Sequence, residues 1–438
     1  MSSASPLPPG RLEEQLPDHA PLYSPGEAKA ESDRCLYCYD APCVKACPTA
    51  IDIPGFIRRI AADNAVGAAR RILEANLLGY SCARVCPVEV LCEGACVYHD
   101  WKRPPIRIGR LQRYAVETAF DAGRAALPPL RRAPRARVAL VGAGPASLAC
   151  AGTLARAGVE AVLFEKRALP GGLNTTGVAP YKMQAPDSLR EVAFVQSLGV
   201  RVETGREVGK DPTAEALLRD FDFVFLGMGL GADQHLGLPG EDGAGVCGAT
   251  ALIERMKNDP SLRLGKVGHV VVIGGGNTAL DAARELAQLG AAEVTVLYRR
   301  GEPEMTGFAH ELKSARLEGA RLLERTVAVE IVREDGRVRW VRVADAREGK
   351  PVPGTERLLP AEFVVLAIGQ GKLGWVAQLF PDVAVSADGR VGADPEGRTG
   401  NPKVYAGGDC VNGGDLVVTA VAAGQRAARC ILERLSAS

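Results

Sequence analysis

The spacing of the cysteines between Cys35 and Cys96 constrains this chain more than any other feature. Eight of its twelve cysteines lie in that segment, at positions 35, 38, 43, 47, 82, 86, 92 and 96. A [4Fe–4S] cluster takes four ligands, usually thiolates, so eight of them predict two clusters. The run ends in Cys43-x3-Cys47-Pro48, as the bacterial two-cluster pattern does, although the preceding gap is x4 rather than x2.

Zinc and disulfides are the alternatives for so many cysteines. Structural zinc sites prefer separated Cys-x2-Cys pairs, and only Cys35 and Cys38 have that spacing. Disulfides require an oxidising compartment, and the N-terminal MSSASPLPPGR lacks the apolar region of a signal peptide. No apolar run approaches the ~18 residues of a membrane-spanning helix. The net charge of +1 argues against nucleic-acid or membrane binding. We therefore expect a soluble, cytoplasmic iron–sulfur protein.

Helical periodicity follows the cysteines. Apolar residues between Ile53 and Leu78 predict two short helices, the first capped by Asp52, which bring the two cysteine groups together. A further helix is predicted from Ile106 to about residue 126. The Pro-rich residues 1–30 are expected to form a loosely ordered arm, and residues 127–137 a linker.

A glycine-rich turn after the apolar run at Val138 predicts a dinucleotide-binding βαβ unit. Gly142 makes the turn, Gly144 lets the backbone approach a pyrophosphate at the helix N-terminus, and the small Ser147 permits close packing. The next strand ends at Glu165, whose carboxylate can accept hydrogen bonds from a ribose. The alternative is an ordinary α/β domain in which Glu165 is solvated.

The same pattern recurs about 130 residues later, around Gly274 and Gly276. Here the second strand ends in Arg299 and Arg300 instead of an acid. Arginines at that position can bind a 2′-phosphate, which favours NADPH. The alternative is that they pair with the nearby Glu302 or Glu304.

Two buried-strand runs followed by glycine, 223–229 and 363–370, flank the second motif and predict that one dinucleotide-binding domain is inserted in another. The expected fold class is α/β, with an N-terminal α-helical iron–sulfur domain followed by two Rossmann-type domains, the second inserted in the first. The expected boundaries are 1–130 for the cluster domain, 131–234 and 363–438 for the first Rossmann domain, and 235–362 for the second.

Taken together, these motifs resemble a known family. GAGPAS, FEK and YAGGD around an inserted GGGNTA and YRR are similar to flavoprotein reductases with two Rossmann-type domains. CLYCYDAPCVKACPTAIDI, LGYSCARVCPVEVLCEGAC and IRIGRLQ resemble the N-terminal half of dihydropyrimidine dehydrogenase, and more closely the NAD(P)H-oxidising subunit of its bacterial two-subunit form. The small subunit of glutamate synthase is a near relative. The resemblance spans roughly residues 31–435.

The resemblance implies a division of the cluster ligands. It assigns to one cluster Cys35, Cys38, Cys43 and Cys96, and to the other Cys47, Cys86, Cys92 and Gln112. Cys82 is then a bystander, whereas counting cysteines alone makes it the eighth ligand.

The resemblance also implies the cofactor residues. For FAD they are Gly142, Gly144, Pro145, Ala146, Ser147, Glu165, Lys166, Gly171, Gly172, Leu173, Gly408, Asp409, Val418 and Thr419. For NAD(P)H they are Gly274, Gly276, Asn277, Thr278, Arg299 and Arg300.

The implied function is hydride transfer from NAD(P)H to FAD, followed by single-electron transfer through two [4Fe–4S] clusters. The chain has no room for an FMN-bearing (β/α)8 barrel, which needs ~250 residues. An FMN-containing partner subunit is therefore expected to reduce uracil or thymine. Two alternatives remain, a glutamate synthase small subunit or related reductase, and a non-catalytic electron carrier. The choice between NADH and NADPH also remains open.

Overall fold

A computed structural model describes residues 7–130, 136–265 and 267–437. These residues form two compact units. The first unit contains residues 7–19, 176–185 and 231–371, and the second contains the remaining described residues. Residues 131–135 of the predicted linker lie outside the described residues.

The second unit begins with a helical region that carries the eight clustered cysteines. Its helices are α1 (Pro25–Asp33), α2 (Pro42–Lys45), α3 (Ile53–Ala61), α4 (Ala65–Ala75), α5 (Gly79–Val85) and α6 (Ile108–Asp121). Asp52 caps α3 as predicted, since its carboxylate accepts a hydrogen bond from the Gly55 amide at 3.0 Å. The apolar faces of α3 and α4 are buried, which confirms the helical periodicity.

A five-stranded parallel sheet completes the second unit. Its strands are β1 (Arg137–Val141), β2 (Glu160–Glu165), β3 (Arg201–Thr204), β4 (Phe223–Leu226) and β14 (Val404–Ala406), in the order β14-β4-β1-β2-β3. The helices are α7 (Pro145–Arg156), α8 (Leu173–Thr176), α9 (Ala185–Ser197), α10 (Ala214–Asp220), α14 (Gly374–Ala377), α15 (Asp409–Asn412) and α16 (Val417–Ala437). The sheet's buried strands read as continuous apolar runs because helices cover both faces of such sheets.

The first unit repeats this architecture. Its parallel sheet has the order β5-β13-β6-β7-β8 and contains β5 (Val246–Gly248), β6 (His269–Ile273), β7 (Glu293–Leu297), β8 (Arg321–Leu323) and β13 (Phe363–Leu366). Its helices are α11 (Ala249–Asn258), α12 (Asn277–Gln288) and α13 (Ala309–Leu317). An antiparallel sheet is formed by β9 (Thr326–Glu334), β10 (Arg337–Arg347), β11 (Lys350–Pro351) and β12 (Arg357–Pro360).

The predicted fold class is confirmed, but two predicted boundaries are wrong. The strand β13, assigned from the sequence to the first Rossmann domain, pairs instead with β5 and β6 of the second sheet. The chain leaves the first unit, which contains this second sheet, only after residue 371. An apolar run followed by glycine predicts a buried strand, but it does not identify the sheet that the strand joins. The predicted cluster domain of residues 1–130 also begins too early, because residues 7–19 belong to the first unit. The other boundaries stay predictions.

The prediction of a loosely ordered arm over residues 1–30 is also wrong where the chain is described. A 3-10 helix spans Leu12–Gln15, and the side chains of Leu12 and Leu16 are buried in the first unit. The Glu13 carboxylate accepts a hydrogen bond from the Ala185 amide at 2.9 Å. Residues 25–33 form α1, because Ser24 and Glu27 build a complete capping box. None of the described helices is long and apolar enough to cross a membrane.

Candidate functional site: two cysteine cavities and two nucleotide folds

The first cavity of the helical region collects four of the cysteines. Cys35, Cys38, Cys43 and Cys96 line it, together with apolar side chains that include Ile53. It encloses about 380 Å³ of empty space. These are the four thiols predicted for one cluster, and the fold brings all of them together.

The second cavity collects the other four cysteines and one amide. Cys47, Cys82, Cys86, Cys92 and Gln112 line about 390 Å³ of empty space. Ile53 contributes to this wall as well as to the first, so the two cavities are neighbours. Val418, a predicted flavin residue at the start of α16, also lines the second cavity. A cluster held here would therefore lie beside the predicted flavin fold.

Burial and neighbouring thiols disfavour ionisation of cysteines in both cavities. Burial, together with repulsion from the neighbouring Cys35 and Cys96 thiolates, raises the pKa of Cys43 to about 12. In the second cavity, a hydrogen bond to Cys82, together with burial, raises the pKa of Cys86. A cationic cluster would reverse these shifts, since iron stabilises the thiolate. The donor set of each cavity therefore fits an iron–sulfur cluster.

The eighth ligand remains a prediction, because both candidates line the second cavity. The Gln112 amide donates a hydrogen bond to the Gly79 carbonyl at 2.6 Å, which ties α6 to α5. The Cys82 thiol is 4% exposed and accepts a hydrogen bond from the Asn76 amide at 3.2 Å. Among the described residues, no three His, Cys, Asp or Glu side chains surround a point as ligands of a single metal ion do.

The turn between β1 and α7 has the shape expected of a dinucleotide site. Gly142 adopts φ +85°, and a Cβ there would lie 2.9 Å from the Met228 backbone. Gly144 is the N-cap of α7, so the first amides of that helix are available to a phosphate. Pro145 and Ala146 open the helix, and the buried Ser147 hydroxyl has no hydrogen-bond partner among the described residues.

Two further segments converge on this turn. The Glu165 carboxylate at the end of β2 accepts hydrogen bonds from the amides of Ala143 and Arg167, at 2.8 and 2.9 Å. A Cβ at Gly172 would lie 2.8 Å from the Gly144 backbone. The predicted residues Lys166, Gly171 and Leu173 belong to this same β2–α8 connection.

The strand β14 brings the last predicted flavin residues to the same edge of the sheet. Gly408 adopts φ +77°, and a Cβ there would lie 2.9 Å from that of Ala146. Asp409 begins α15, and burial raises the pKa of its carboxyl group. Val418 and Thr419 begin α16, where the Thr419 hydroxyl donates to the Leu416 carbonyl at 2.7 Å. The structure thus gathers all the predicted flavin segments in one unit.

The second sheet builds an equivalent turn in the first unit. Gly276 is the N-cap of α12, and a Cβ at Gly274 would lie 2.2 Å from the Ala367 carbonyl oxygen. The Asn277 side chain accepts a hydrogen bond from the Phe308 amide at 2.9 Å, which fixes the following loop. Thr278 occupies the first turn of α12.

Arg299 and Arg300 follow β7 beside this turn. Neither forms an ion pair among the described residues, whereas Glu302 pairs with Arg316 at 2.6 Å. The Glu304 carboxylate accepts a hydrogen bond from the Gly301 amide instead. The alternative pairing of these arginines with Glu302 or Glu304 is therefore wrong, and Arg299 remains exposed.

Three residues around the second cavity were not identified from the sequence. Thr49 and Asn76 form hydrogen bonds next to the sulfurs of Cys47 and Cys82. Glu191 accepts hydrogen bonds from the backbone amides of Tyr80 and Ser81, at the start of α5. Thr49 stands in the PTAIDI stretch, but nothing in the local sequence of Asn76 or Glu191 indicates a role.

Comparison with known proteins gives two family matches. Residues 13–124 match the family described as dihydropyrimidine dehydrogenase domain II, 4Fe-4S cluster, and residues 136–424 match pyridine nucleotide-disulphide oxidoreductase. The chain is 38% identical to the glutamate synthase [NADPH] small chain of Halomonas elongata, over 94% of this chain and 92% of that one. It is 32% identical to the NAD-dependent dihydropyrimidine dehydrogenase subunit PreT of Escherichia coli K12, over 95% and 96%.

Solved structures are similar to the nucleotide-binding part. The thioredoxin reductase of T. acidophilum has a TM-score of 0.55 and 23% identity, covering 69% of this chain and 99% of that one. At this identity the likeness concerns the fold alone. The two parallel sheets, the cysteine region and the relatives all indicate the same kind of protein. The chain belongs to the pyridine nucleotide-disulphide oxidoreductase family, as an NAD(P)-dependent flavoprotein whose N-terminal domain binds [4Fe–4S] iron–sulfur clusters.

Proposed function

We propose that this chain is the electron-input subunit of a two-subunit dihydropyrimidine dehydrogenase. In this proposal, NAD(P)H is oxidised at the flavin and an FMN-containing partner reduces uracil or thymine to the 5,6-dihydropyrimidine. When bound, FAD would accept the two electrons of a hydride and release them singly, and the clusters would conduct them. The protein's own contribution is the placement of these groups.

The position of Val418 carries the electron path of this proposal. This residue belongs to the predicted flavin site and also to the wall of the second cavity, while Ile53 separates the second cavity from the first. The order flavin, second cluster, first cluster follows from these shared walls. Leu36 lines the first cavity and is 45% exposed, so electrons reach the surface there.

The chain's residues bind and orient the cofactors rather than exchange protons with a substrate. Gly142, Gly144 and the N-terminus of α7 would hold the FAD pyrophosphate, and Glu165 would face its ribose. Gly276 and the N-terminus of α12 would hold the nicotinamide dinucleotide. The unpaired guanidinium of Arg299 favours NADPH, since it can bind a 2′-phosphate.

The cofactor preference is tested by replacing Arg299 and Arg300 with Ala together. We expect the KM for NADPH to rise roughly tenfold or more, the worth of a lost charged hydrogen bond, with the KM for NADH unchanged. Arg321→Ala is the control. This exposed arginine begins β8, so it lies at the amino ends of the parallel strands, whereas Arg299 and Arg300 follow the carboxyl end of β7. Equal changes for both nucleotides would show that the arginines do not contact a 2′-phosphate.

The pyrimidine-reducing partner is favoured by Gln112 in its IGRLQ context and by the DAPC and PTAIDI stretches. A second candidate is the glutamate synthase small chain, which the 38% identity to the Halomonas elongata protein favours. Both candidates share the same electron path and differ in the partner subunit.

Anaerobic purification of the chain together with its partner subunit distinguishes the two candidate functions. We expect NAD(P)H-dependent dye reduction by the chain alone, and NAD(P)H oxidation that depends on uracil or thymine only in the joint complex. Oxidation driven by glutamine and 2-oxoglutarate would support the second candidate. Failure of the flavin-loaded chain to reduce a dye would leave only the non-catalytic carrier.

A further inference from the structure

A short hydrogen-bond chain runs beside the second cavity. The Asn76 side-chain amide, fully buried, donates to the Cys82 sulfur at 3.2 Å and to the Thr49 hydroxyl oxygen at 3.3 Å. The Thr49 hydroxyl lies 3.3 Å from the Cys47 sulfur. The two ends of this chain are therefore sulfurs, those of Cys82 and Cys47, that line the cavity.

The backbone fixes the orientation of this chain. The side-chain oxygen of Asn76, Oδ1, accepts a hydrogen bond from the Leu78 backbone amide at 2.9 Å. Because one end of the side-chain amide is engaged in this way, its NH2 group must face Thr49 and Cys82. Asn76 is also the C-cap of α4, so its position is set by the helix.

The direction of the Thr49–Cys47 bond follows from chemistry. The Thr49 oxygen already accepts from Asn76, which leaves its hydrogen free to point elsewhere. A cysteine that ligates iron is a thiolate and has no proton to donate. The Thr49 hydroxyl must therefore donate to Cys47 when a cluster is bound.

We propose that Thr49, oriented by Asn76, donates a hydrogen bond to a ligating sulfur and thereby raises the reduction potential of the cluster in the second cavity. This inference rests on the proposed function, because it assumes that Cys47 ligates a cluster. Cys47 is a ligand whether the eighth ligand is Gln112 or Cys82. A hydrogen bond to a ligating sulfur stabilises the reduced state, which carries one more negative charge. Thr49 and Asn76 are thus positioning residues that ease electron entry from the flavin.

The test compares Thr49→Val, which removes the hydroxyl but keeps the shape, with Thr49→Ser, which keeps the hydroxyl. Reduction potentials are measured on the cluster-loaded chain by mediated EPR titration with a low-potential europium chelate as reductant. The second cluster is the one whose signal Cys86→Ala removes. At the midpoint potential of the parent protein, Thr49→Val is expected to lower the ratio of reduced to oxidised second cluster about tenfold. This corresponds to a decrease of ~59 mV in the reduction potential of that one-electron couple. Thr49→Ser is expected to restore it, and the first cluster should not change.

Asn76→Asp provides a second variant. Its carboxylate still accepts from the Leu78 amide, but it would also accept the Thr49 hydrogen and draw it away from Cys47. We expect a decrease in potential at least as large as that of Thr49→Val. Thr153→Val is the control, because its hydroxyl donates within α7 to the Ala149 carbonyl.

Resonance Raman spectra of the oxidised chain give a second readout, which needs no reduction of the cluster. Iron–sulfur stretching frequencies of the second cluster should shift between protein grown in H2O and in D2O, and this shift should be lost in Thr49→Val. An unchanged potential with full iron in Thr49→Val, or no isotope shift in the parent, overturns the inference. A parent chain without any iron overturns the proposed function instead.

Discussion

The two cysteine cavities of the helical region share a wall at Ile53 but differ in composition and surroundings. The first is lined by four thiols and apolar side chains, and the exposed Leu36 borders it. The second offers four thiols and the Gln112 amide, with the buried amide of Asn76 and Val418 of α16 in its wall. The two cavities thus differ in their polar groups and in their exposure, although both collect four thiols.

In the proposed electron path, this difference would separate the entry of electrons from their exit. Donors and polar groups accumulate around the second cavity, where hydrogen bonds adjust the charge of a buried cluster. The first cavity has an apolar wall and an exposed edge, where a partner can approach. We infer that tuning belongs to the cluster beside the flavin and contact with the partner to the other.

The largest expected effect separates the two cavities by removing one thiol from each. Cys38→Ala and Cys86→Ala should each lose one cluster and about half of the iron, while NAD(P)H-dependent dye reduction persists. After photoreduction of the flavin, stopped-flow spectra should show rapid reduction of the cluster that remains in Cys38→Ala and slow reduction in Cys86→Ala. The reverse order would mean that the first cavity, and not the second, receives electrons from the flavin.

A smaller effect is expected from variants that identify the eighth cluster ligand, Gln112 or Cys82. Gln112→Ala is expected to lose or alter the second cluster, whereas Cys82→Ala should keep its iron content and spectrum. Gln112→Cys serves as the matched variant and should shift the potential of that cluster alone, because a thiolate replaces a neutral amide. Iron analysis and EPR would contradict the assignment if Gln112→Ala were unchanged and Cys82→Ala lost a cluster.

The smallest effect concerns Glu191, which holds the start of the cavity helix α5. Burial raises the pKa of its carboxyl group from 4.5 to about 7, although the amides of Tyr80 and Ser81 lower it in part. Since the folded pKa exceeds the unfolded one, the contribution to stability is complete below pH 4.5 and is lost as pH rises through 7. The free energy of unfolding should fall by about 1.4 kcal/mol per pH unit in that window, relative to Glu191→Gln.

Anaerobic urea unfolding at several pH values measures this difference. Glu203→Gln is a suitable control, because this carboxylate on β3 pairs with Arg206 at the edge of the sheet. A parent and a Glu191→Gln variant with parallel pH profiles would show that Glu191 does not take up a proton on folding.

Local patterns in the sequence were sufficient for the elements that each site requires. The cysteine spacing, the glycine turns and the Asp52 cap depend on residues a few positions apart, so their geometry follows from backbone sterics and short-range hydrogen bonds. The grouping of Cys96 with Cys35, Cys38 and Cys43 required a family resemblance, since Cys96 lies 53 positions after Cys43. The cavity that these four cysteines line agrees with that grouping.

The sequence by itself determined that this chain has a cysteine region for clusters and two dinucleotide turns, because thiol spacing and glycine conformations are local properties. Only the tertiary structure decided that β13 joins the second sheet, that Leu12 is buried, that Asn76 contacts Thr49 and Cys82 beside the second cavity, and that Glu191 accepts hydrogen bonds at the start of α5. Those outcomes depend on contacts between residues far apart in the chain. Such contacts form when buried polar groups find partners and apolar faces pack, and no local pattern encodes them.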